Sequence, residues 1–275
     1  MPDTHSLQKP VLSRADFTTP RFLSMLTTYG CVLARGLFSM SEVLALRGEA
    51  EAAYRDYDRA IAETDAGRTP PESPHIKTSA YTTDRESIGR FRKFGSLPLA
   101  RCPHASSVAA TVLSASPLRL GVEAYFQDQI GLSLNASSVR LSEVSNDTRR
   151  VFHQDGNFLG GADAQTVNCW IALDPCGVHA PAMEVYPHRV PDLLQAGDAD
   201  SIVPWEISEE AVYARFGKEN MWIPEFSPGD AFIFDHLHVH RTHLSDAMTR
   251  DRFAMENWMF PITERYRHQF LAWLG

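Results

Sequence analysis

The chain has 275 residues, of which 44% are hydrophobic, and a formal net charge of −8, so it can bury a sizeable core in one large domain or in two smaller ones. A pI near 5.7 argues against a general surface for nucleic acid or anionic membranes, because both need clustered positive charge. The four scattered cysteines, the lack of a secretory signal and the lack of a long apolar run favour a soluble cytoplasmic protein. The composition leaves the oligomeric state open.

The first part of the chain is predicted to be rich in helices. Residues 20–30 fit a short helix that ends at a glycine C-cap, and residues 31–35 fit the strand after it. Ser41 is the expected N-cap of a long helix that runs to about Thr64. Glycine and prolines exclude regular structure from residues 66–74. Two further helices are expected at 105–114 and 118–130.

A basic segment follows that proline-rich loop. Arg90, Arg92 and Lys93 place three cations within four residues of an otherwise acidic chain. One interpretation is a lid over about 67–93 whose cations hold an anionic substrate, since active-site lids are drawn from segments of low stability. The alternative is a surface loop beside a solvated helix.

From about residue 133 the pattern changes to short β-prone runs separated by turn residues. Such runs predict a sandwich or jelly roll with the earlier helices packed outside it. We therefore expect a single domain over 1–275, with a helix-rich part at about 1–132 and a jelly-roll core completed by about 133–262. One helix, at about 208–216, interrupts the strands. The expected strands are 137–141, 150–153, 166–173, 183–186, 231–234, 237–240 and 253–260.

A metal-binding pattern stands out in this second part. His153 and Asp155 are two residues apart in a segment expected to be extended, so both side chains leave the same face and can bind one ion. The third ligand must come from elsewhere, and His236, His238 and His240 would share one face of a regular strand. The residues alone leave the choice among these three open. Two imidazoles and one carboxylate leave open positions that suit non-haem Fe(II) oxygenases.

Several motifs accompany this pattern over most of the chain. They are Tyr29–Phe38 followed by a helix, Phe152–Gly156, Trp170–Asp174, Met183–His188 and Gly229–Asp230. In these motifs the chain resembles the phytanoyl-CoA dioxygenase-like family of Fe(II)/2-oxoglutarate-dependent oxygenases. The resemblance implies a double-stranded β-helix (jelly-roll) core, Fe(II), 2-oxoglutarate as cosubstrate and O2. In that family the distal histidine lies eleven residues after the glycine of the Gly-Asp turn, which implies His240 as the third ligand beside His153 and Asp155.

The resemblance also implies which residues bind 2-oxoglutarate. In the family an arginine about a dozen residues after the distal histidine binds the far carboxylate with a planar pair of donors, which implies Arg252 rather than Arg250. Thr242 corresponds to a small hydroxyl residue that touches the same carboxylate. Arg140 corresponds to a basic residue near the cosubstrate or substrate. Trp170 corresponds to a tryptophan near the pocket, with a core position as its alternative.

The implied activity is hydroxylation, or another oxidation, of an unactivated C–H bond in a small-molecule metabolite, with release of succinate and CO2. One alternative is a cupin-type metal protein that uses His238 and His240; another is a non-catalytic family member that binds a small molecule. Halogenation is not expected, because Asp155 stands where halogenating relatives have glycine or alanine. The chain departs from the family's pattern at about 176–189, so the substrate is left open.

Overall fold

The computed structural model describes residues 9–77, 94–146, 150–263 and 271–274. These ranges contain six α-helices and eleven strands. No helix among them is long and apolar enough to cross a membrane. The helices are α1 (Thr19–Tyr29), α2 (Met40–Asp65), α3 (Pro103–Ala115), α4 (Pro117–Phe126), α5 (Gly156–Leu159) and α6 (Glu209–Phe216). The strands are β1 (Val11–Ser13), β2 (Cys31–Arg35), β3 (Ser96–Pro98), β4 (Ile130–Ser133), β5 (Ser138–Ser142), β6 (Val167–Ala172), β7 (Ala182–Val185), β8 (Ala231–Asp235), β9 (His240–His243), β10 (Arg252–Pro261) and β11 (Leu271–Trp273).

Local capping sets the ends of the N-terminal helices. Gly30, in the left-handed region at φ 73°, ends α1 and turns the chain into β2 as expected. The long helix α2 is present, but its N-cap is Ser39 rather than Ser41, because Ser39 and Glu42 form a reciprocal capping box. The expected helix to residue 130 was too long. Gln127 takes the left-handed conformation and ends α4, which frees the next residues for β4.

Two sheets form the core. The main sheet has nine strands, with the path β1-β2-β8-β6-β10-β4-β11 and with β5 joined to β10 and β3. Among the described residues, its strand pairs are antiparallel except that of β1 with β2. The smaller sheet pairs β7 with β9, and isolated bridges extend it on both sides. The helices lie outside, as expected for a jelly roll with flanking helices, and this fold class is confirmed.

Because neighbouring side chains of a strand point to opposite faces of the sheet, the apolar side chains form two layers, one on each face of the main sheet. On β8, Phe232 and Phe234 belong to the cluster between the sheets, whereas Ile233 belongs to the cluster between the main sheet and the helices. Strand β6 is buried over its whole length, because both faces of the main sheet are covered at its centre. Of these two layers, the one between the two sheets extends to the candidate metal ligands.

Two of the expected strands were wrong, and both carry candidate ligands. Residues 150–153 form only isolated bridges, at Phe152 and His153. Residues 237–240 were expected to form a strand of their own, but the chain turns after Asp235 and a new strand begins only at His240. The three histidines of that run therefore do not share one strand face. The basic part of the expected lid, residues 78–93, lies outside the described residues.

Candidate metal centre

Backbone pairing brings the first and last candidate ligands together. His153 and His240 form an antiparallel bridge in which each N–H donates to the carbonyl of the other, at 3.0 and 3.1 Å. Residues directly opposite each other in an antiparallel pair lie close, so the two rings face the same space. Their ring centroids are 4.3 Å apart. Asp155 follows two residues later, directly before α5.

The three side chains point their free donor atoms at one another. His153 Nδ1 donates to the carbonyl of Val151 at 3.1 Å, and His240 Nδ1 donates to that of His238 at 3.0 Å. A carbonyl can only accept, so in the neutral form of each ring the lone pair is on Nε2. These Nε2 atoms lie 3.8 and 3.6 Å from Asp155 Oδ1. That spacing is too long for hydrogen bonds.

The spacing suits a shared ion. Donor atoms about 2.0–2.2 Å from one metal ion lie about 3–4 Å apart at ordinary ligand angles, and the three ligand atoms here all lie within 4.8 Å of one another. Asp155 Oδ1 is buried and accepts no hydrogen bond from any described residue. A buried carboxylate oxygen without a donor is costly, and a cation would remove that cost. The site therefore fits a divalent metal ion.

The effects of burial on the charge states of His240 and Asp155 also favour a bound cation. It lowers the pKa of His240 well below its usual range, with the nearby His153 adding to the effect, so His240 stays neutral and able to ligate. Burial also raises the pKa of Asp155, although His153 and two hydrogen bonds work against this. The ionised form of Asp155 is thus destabilised without a cation and favoured with one.

Hydrogen bonds orient the Asp155 carboxylate. The indole Nε1 of Trp258 donates to Asp155 Oδ2 at 2.6 Å, and Asn168 Nδ2 lies 3.4 Å from the same oxygen. With Oδ2 engaged, Oδ1 is the atom left for the metal. Gln154 braces the segment between the two ligands, because its amide donates to the carbonyls of Leu237 and Asp192, at 2.6 and 3.0 Å. None of these supporting residues was predicted from the sequence.

Replacing Trp258 by phenylalanine is expected to weaken binding of the metal. The change keeps an apolar ring but removes the N–H that holds the carboxylate, and loss of such an outer partner typically costs about 10–100-fold in metal affinity. Titration of the metal-free protein with Mn(II), followed by electron paramagnetic resonance, measures the affinity.

The control for this prediction is Trp205→Phe. Trp205 lines the same cavity, but no hydrogen bond joins it to Asp155 among the described residues. Equal Mn(II) affinities for the Trp258→Phe and wild-type proteins would contradict the orienting role of the indole.

A cavity of about 710 Å³ opens beside the three ligands. His153 and His240 line it, as do three of the residues that the sequence assigned to the cosubstrate: Arg140, Thr242 and Trp170. The volume lies within the usual range for small-molecule sites. The structure therefore brings these residues together around one cavity.

Arg252 lies against the cavity without lining it. Its guanidinium is stacked over the Trp170 ring, 4.8 Å from the centroid, and its Nε donates to the carbonyl of Pro181 at 2.9 Å. The residue is only 2% exposed, and its NH1 has no hydrogen-bond partner among the described residues. Burial lowers the pKa of Arg252 to about 10, which still leaves it charged at neutral pH. A buried, charged donor without an acceptor is expected to take an anion.

The other candidates from the histidine run lie apart from the ligand set. His238 packs between the rings of Phe232 and Phe234, with centroids 5.4 Å from each, and neither of its ring nitrogens has a partner among the described residues. His236 Nε2 binds the carbonyl of Ala162 at 2.9 Å. This geometry does not favour a cupin-type pair of His238 and His240, because His238 is packed in the apolar layer.

Comparison with known proteins gives one family and one fold. A model of the phytanoyl-CoA dioxygenase family matches residues 26–250, whereas the search of the curated proteins found no match. Among solved structures, EctD from S. alaskensis with 2-oxoglutarate and 5-hydroxyectoine has a TM-score of 0.59 at 17% identity, over 96% of this chain and 82% of that one. The carbocyclase SnoK from nogalamycin biosynthesis has 0.58 at 14%, over 89% and 86%. The epimerase SnoN, in complex with Fe3+, alpha ketoglutarate and nogalamycin RO, has 0.56 at 16%, over 88% and 83%. At these identities the likeness is one of fold.

Proposed function

Because the chain belongs to the phytanoyl-CoA dioxygenase family, it is a non-haem iron oxygenase dependent on 2-oxoglutarate, and we propose that it oxidises an unactivated C–H bond of a small-molecule metabolite. Hydroxylation is the preferred outcome, with release of succinate and CO2. The observation that carries the proposal is the convergence of His153, Asp155 and His240 beside an open cavity that both histidines line, with Asp155 Oδ1 accepting no hydrogen bond from the described residues. Three ligands on one side of an ion leave positions for a cosubstrate and for O2.

Each residue has a role in this proposal. His153, Asp155 and His240 hold Fe(II), and Trp258 keeps Asp155 oriented. The chemistry supplied by the bound iron, 2-oxoglutarate and O2 is oxidative decarboxylation of the cosubstrate coupled to oxidation of the C–H bond. The remaining work of the protein is to bind, to orient and to exclude water.

Cosubstrate binding is assigned to the part of the cavity wall that contains Trp170. Arg252 binds the far carboxylate of 2-oxoglutarate, which supplies the acceptor that its NH1 lacks among the described residues. Thr242 lies two residues beyond His240 on β9 and lines the cavity, so its hydroxyl is available to the same carboxylate. The ring of Trp170 stacks on the guanidinium of Arg252 and fixes the orientation of the guanidinium plane. Arg140, 3.5 Å from Glu256, adds positive charge at the cavity wall.

The direct test is turnover of 2-oxoglutarate. Protein reconstituted with Fe(II) is expected to release succinate above the level of the same protein with Zn(II), which binds similar ligands but has no redox chemistry. Candidate small metabolites are then screened for stimulated succinate release, and mass spectrometry detects gain of an oxygen atom or loss of two hydrogens. Tight iron binding with succinate at the Zn(II) level throughout would favour the non-catalytic alternative.

A further inference from the structure

One side of the cavity is built from aromatic rings. Phe158, on the short helix after the ligands, has its ring centroid 5.5 Å from that of Trp205 and 6.1 Å from that of Trp258. It is also 6.1 Å from the ring of His153, so the aromatic wall begins directly beside the metal centre. Rings at these distances offer stacking surfaces for an apolar or ring-containing ligand.

This wall is open to solvent. Phe158 is 38% exposed, and Ile202, which lines the same cavity together with Val203 and Pro204, is 49% exposed. Apolar side chains gathered in an exposed cavity mark a ligand surface, because burying them against a partner is favourable. Phe158 and Ile202 therefore offer a surface for the apolar body of a ligand.

The charged side chains of the cavity differ in their partners. Arg140 lies 3.5 Å from Glu256, and Arg241 binds the buried Glu184 at 2.7 Å. Arg150 also lines the cavity, yet it makes no hydrogen bond or ion pair with any described residue. Arg150 is thus the cavity cation without a paired carboxylate in the described part of the chain.

The surroundings of Arg150 make an anionic ligand favourable. The side chain is half-buried, and this burial together with the neighbouring Arg140 lowers the pKa of Arg150, with Glu143 acting in the opposite direction. The charged form is therefore less stable here than in water, and an anion within reach would restore it. A guanidinium suits a planar or tetrahedral oxyanion because it presents paired donors.

We propose that the primary substrate is an amphipathic molecule, with an apolar, ring-containing body on Phe158 and Trp205 and a single anionic group, a carboxylate or a sulfo or phospho group, on Arg150. The proposal rests on the proposed function, because it takes this cavity as the place where the substrate meets the metal centre. It goes beyond that function in naming the chemical class of the substrate and the residue that selects it.

The test compares two fluorescent probes that share a ring system. Anilinonaphthalene sulfonate carries one negative charge, and phenylnaphthylamine is its neutral counterpart. Both are titrated into the protein already loaded with Mn(II) and saturating 2-oxoglutarate, so that the arginine assigned to the cosubstrate is occupied. Binding requires no turnover, so this assay separates the substrate class from the catalytic proposal.

Arg150→Gln is expected to weaken the sulfonate about tenfold, which corresponds to about 1.4 kcal/mol, and to leave the neutral probe within about twofold. Arg150→Lys should recover part of the loss, because lysine restores the charge without the planar fork. Trp205→Ala should weaken both probes. Arg55→Gln is the matched control, since Arg55 is an exposed arginine of α2 and does not line the cavity.

An unchanged sulfonate affinity in Arg150→Gln would overturn the assignment of the anion site. Equal weakening of both probes by that substitution would also overturn it, because the effect would then not depend on the charge of the ligand. Unchanged affinities of both probes in Trp205→Ala would overturn the proposal that the apolar body of the substrate binds at the aromatic wall. If the probes behave as expected while Fe(II) protein releases no succinate, the proposed oxidation fails and the binding inference stands.

Discussion

Replacing His153, Asp155 or His240 by alanine is expected to reduce iron-dependent succinate release to the level of metal-free protein. Each side chain supplies one of three ligand atoms that the described residues bring within 4.8 Å of one another, and loss of even an outer partner of a metal ligand costs about 10–100-fold in affinity. A larger loss is expected here. Succinate release and the stoichiometry of bound iron measure the two effects separately.

The fold is expected to survive these changes, but the ring of His240 also packs on Phe234, with centroids 4.5 Å apart. Asp155→Asn is therefore the more conservative variant, because it keeps the volume and can still accept from Trp258 while losing the charge that the ion requires. Far-ultraviolet circular dichroism and thermal unfolding check that each variant is folded.

His236→Gln is the matched control for the triad, since it changes a histidine of the same run whose ring binds the carbonyl of Ala162 rather than the ligand set. Full activity of His240→Ala together with loss of activity in His238→Leu would move the distal ligand to His238. That result would contradict the β9 register in which His240 faces His153.

The second large effect is expected at Arg252. Arg252→Ala should raise the KM for 2-oxoglutarate by about 10–100-fold, because it removes hydrogen bonds to a charged group that contribute roughly 1.5–3 kcal/mol each. The affinity for iron should change much less. Initial rates of succinate release at varied 2-oxoglutarate, with saturating Fe(II), give the two parameters.

Two further variants test whether the effect requires the guanidinium group and this position in the chain. Arg252→Lys should rescue only part of the loss, because an ammonium group keeps the charge without the paired donors. Arg250→Ala should behave like the wild type, since Arg250 is exposed. An unchanged dependence on 2-oxoglutarate in Arg252→Ala would instead assign the far carboxylate to Arg140, which lines the cavity itself.

The aromatic wall, Arg150 and two of the candidate metal ligands, His153 and His240, line one cavity. Trp258 lines the cavity and also donates to Asp155. A substrate body that packs on this indole would press on the residue that orients a ligand. The Trp258→Phe variant is therefore expected to affect both Mn(II) binding and binding of the neutral probe.

Local sequence determined much of the secondary structure. Gly30 ends α1 because only a residue tolerant of positive φ fits there, and Ser208 caps α6 where the pattern placed the helix. The buried strands β6 and β8 appear where short β-prone runs predicted them. Such signals depend on neighbours within a few residues, which is why they can be recognised along the chain.

The same local rules failed where long-range packing decided the outcome. The alternation of His236, His238 and His240 predicted that the three side chains would share one face of a regular strand, yet the chain turns there and only His240 enters β9. The turn is stabilised by a contact distant in sequence, since the amide of Gln154 binds the carbonyl of Leu237. No periodicity within the run contains that information.

The ligand motif and the distal histidine could be predicted from the sequence, the latter through a resemblance to a family rather than from spacing alone. The side chains that give the centre its properties could not. Trp258 reaches Asp155 across 103 positions of sequence, because β10 crosses the main sheet beside β6, and Arg150 meets Arg140 and the aromatic wall only in the closed jelly roll. The sequence by itself therefore determined which residues can bind a metal, and the pairing of distant strands decided which groups orient it and what the cavity can hold.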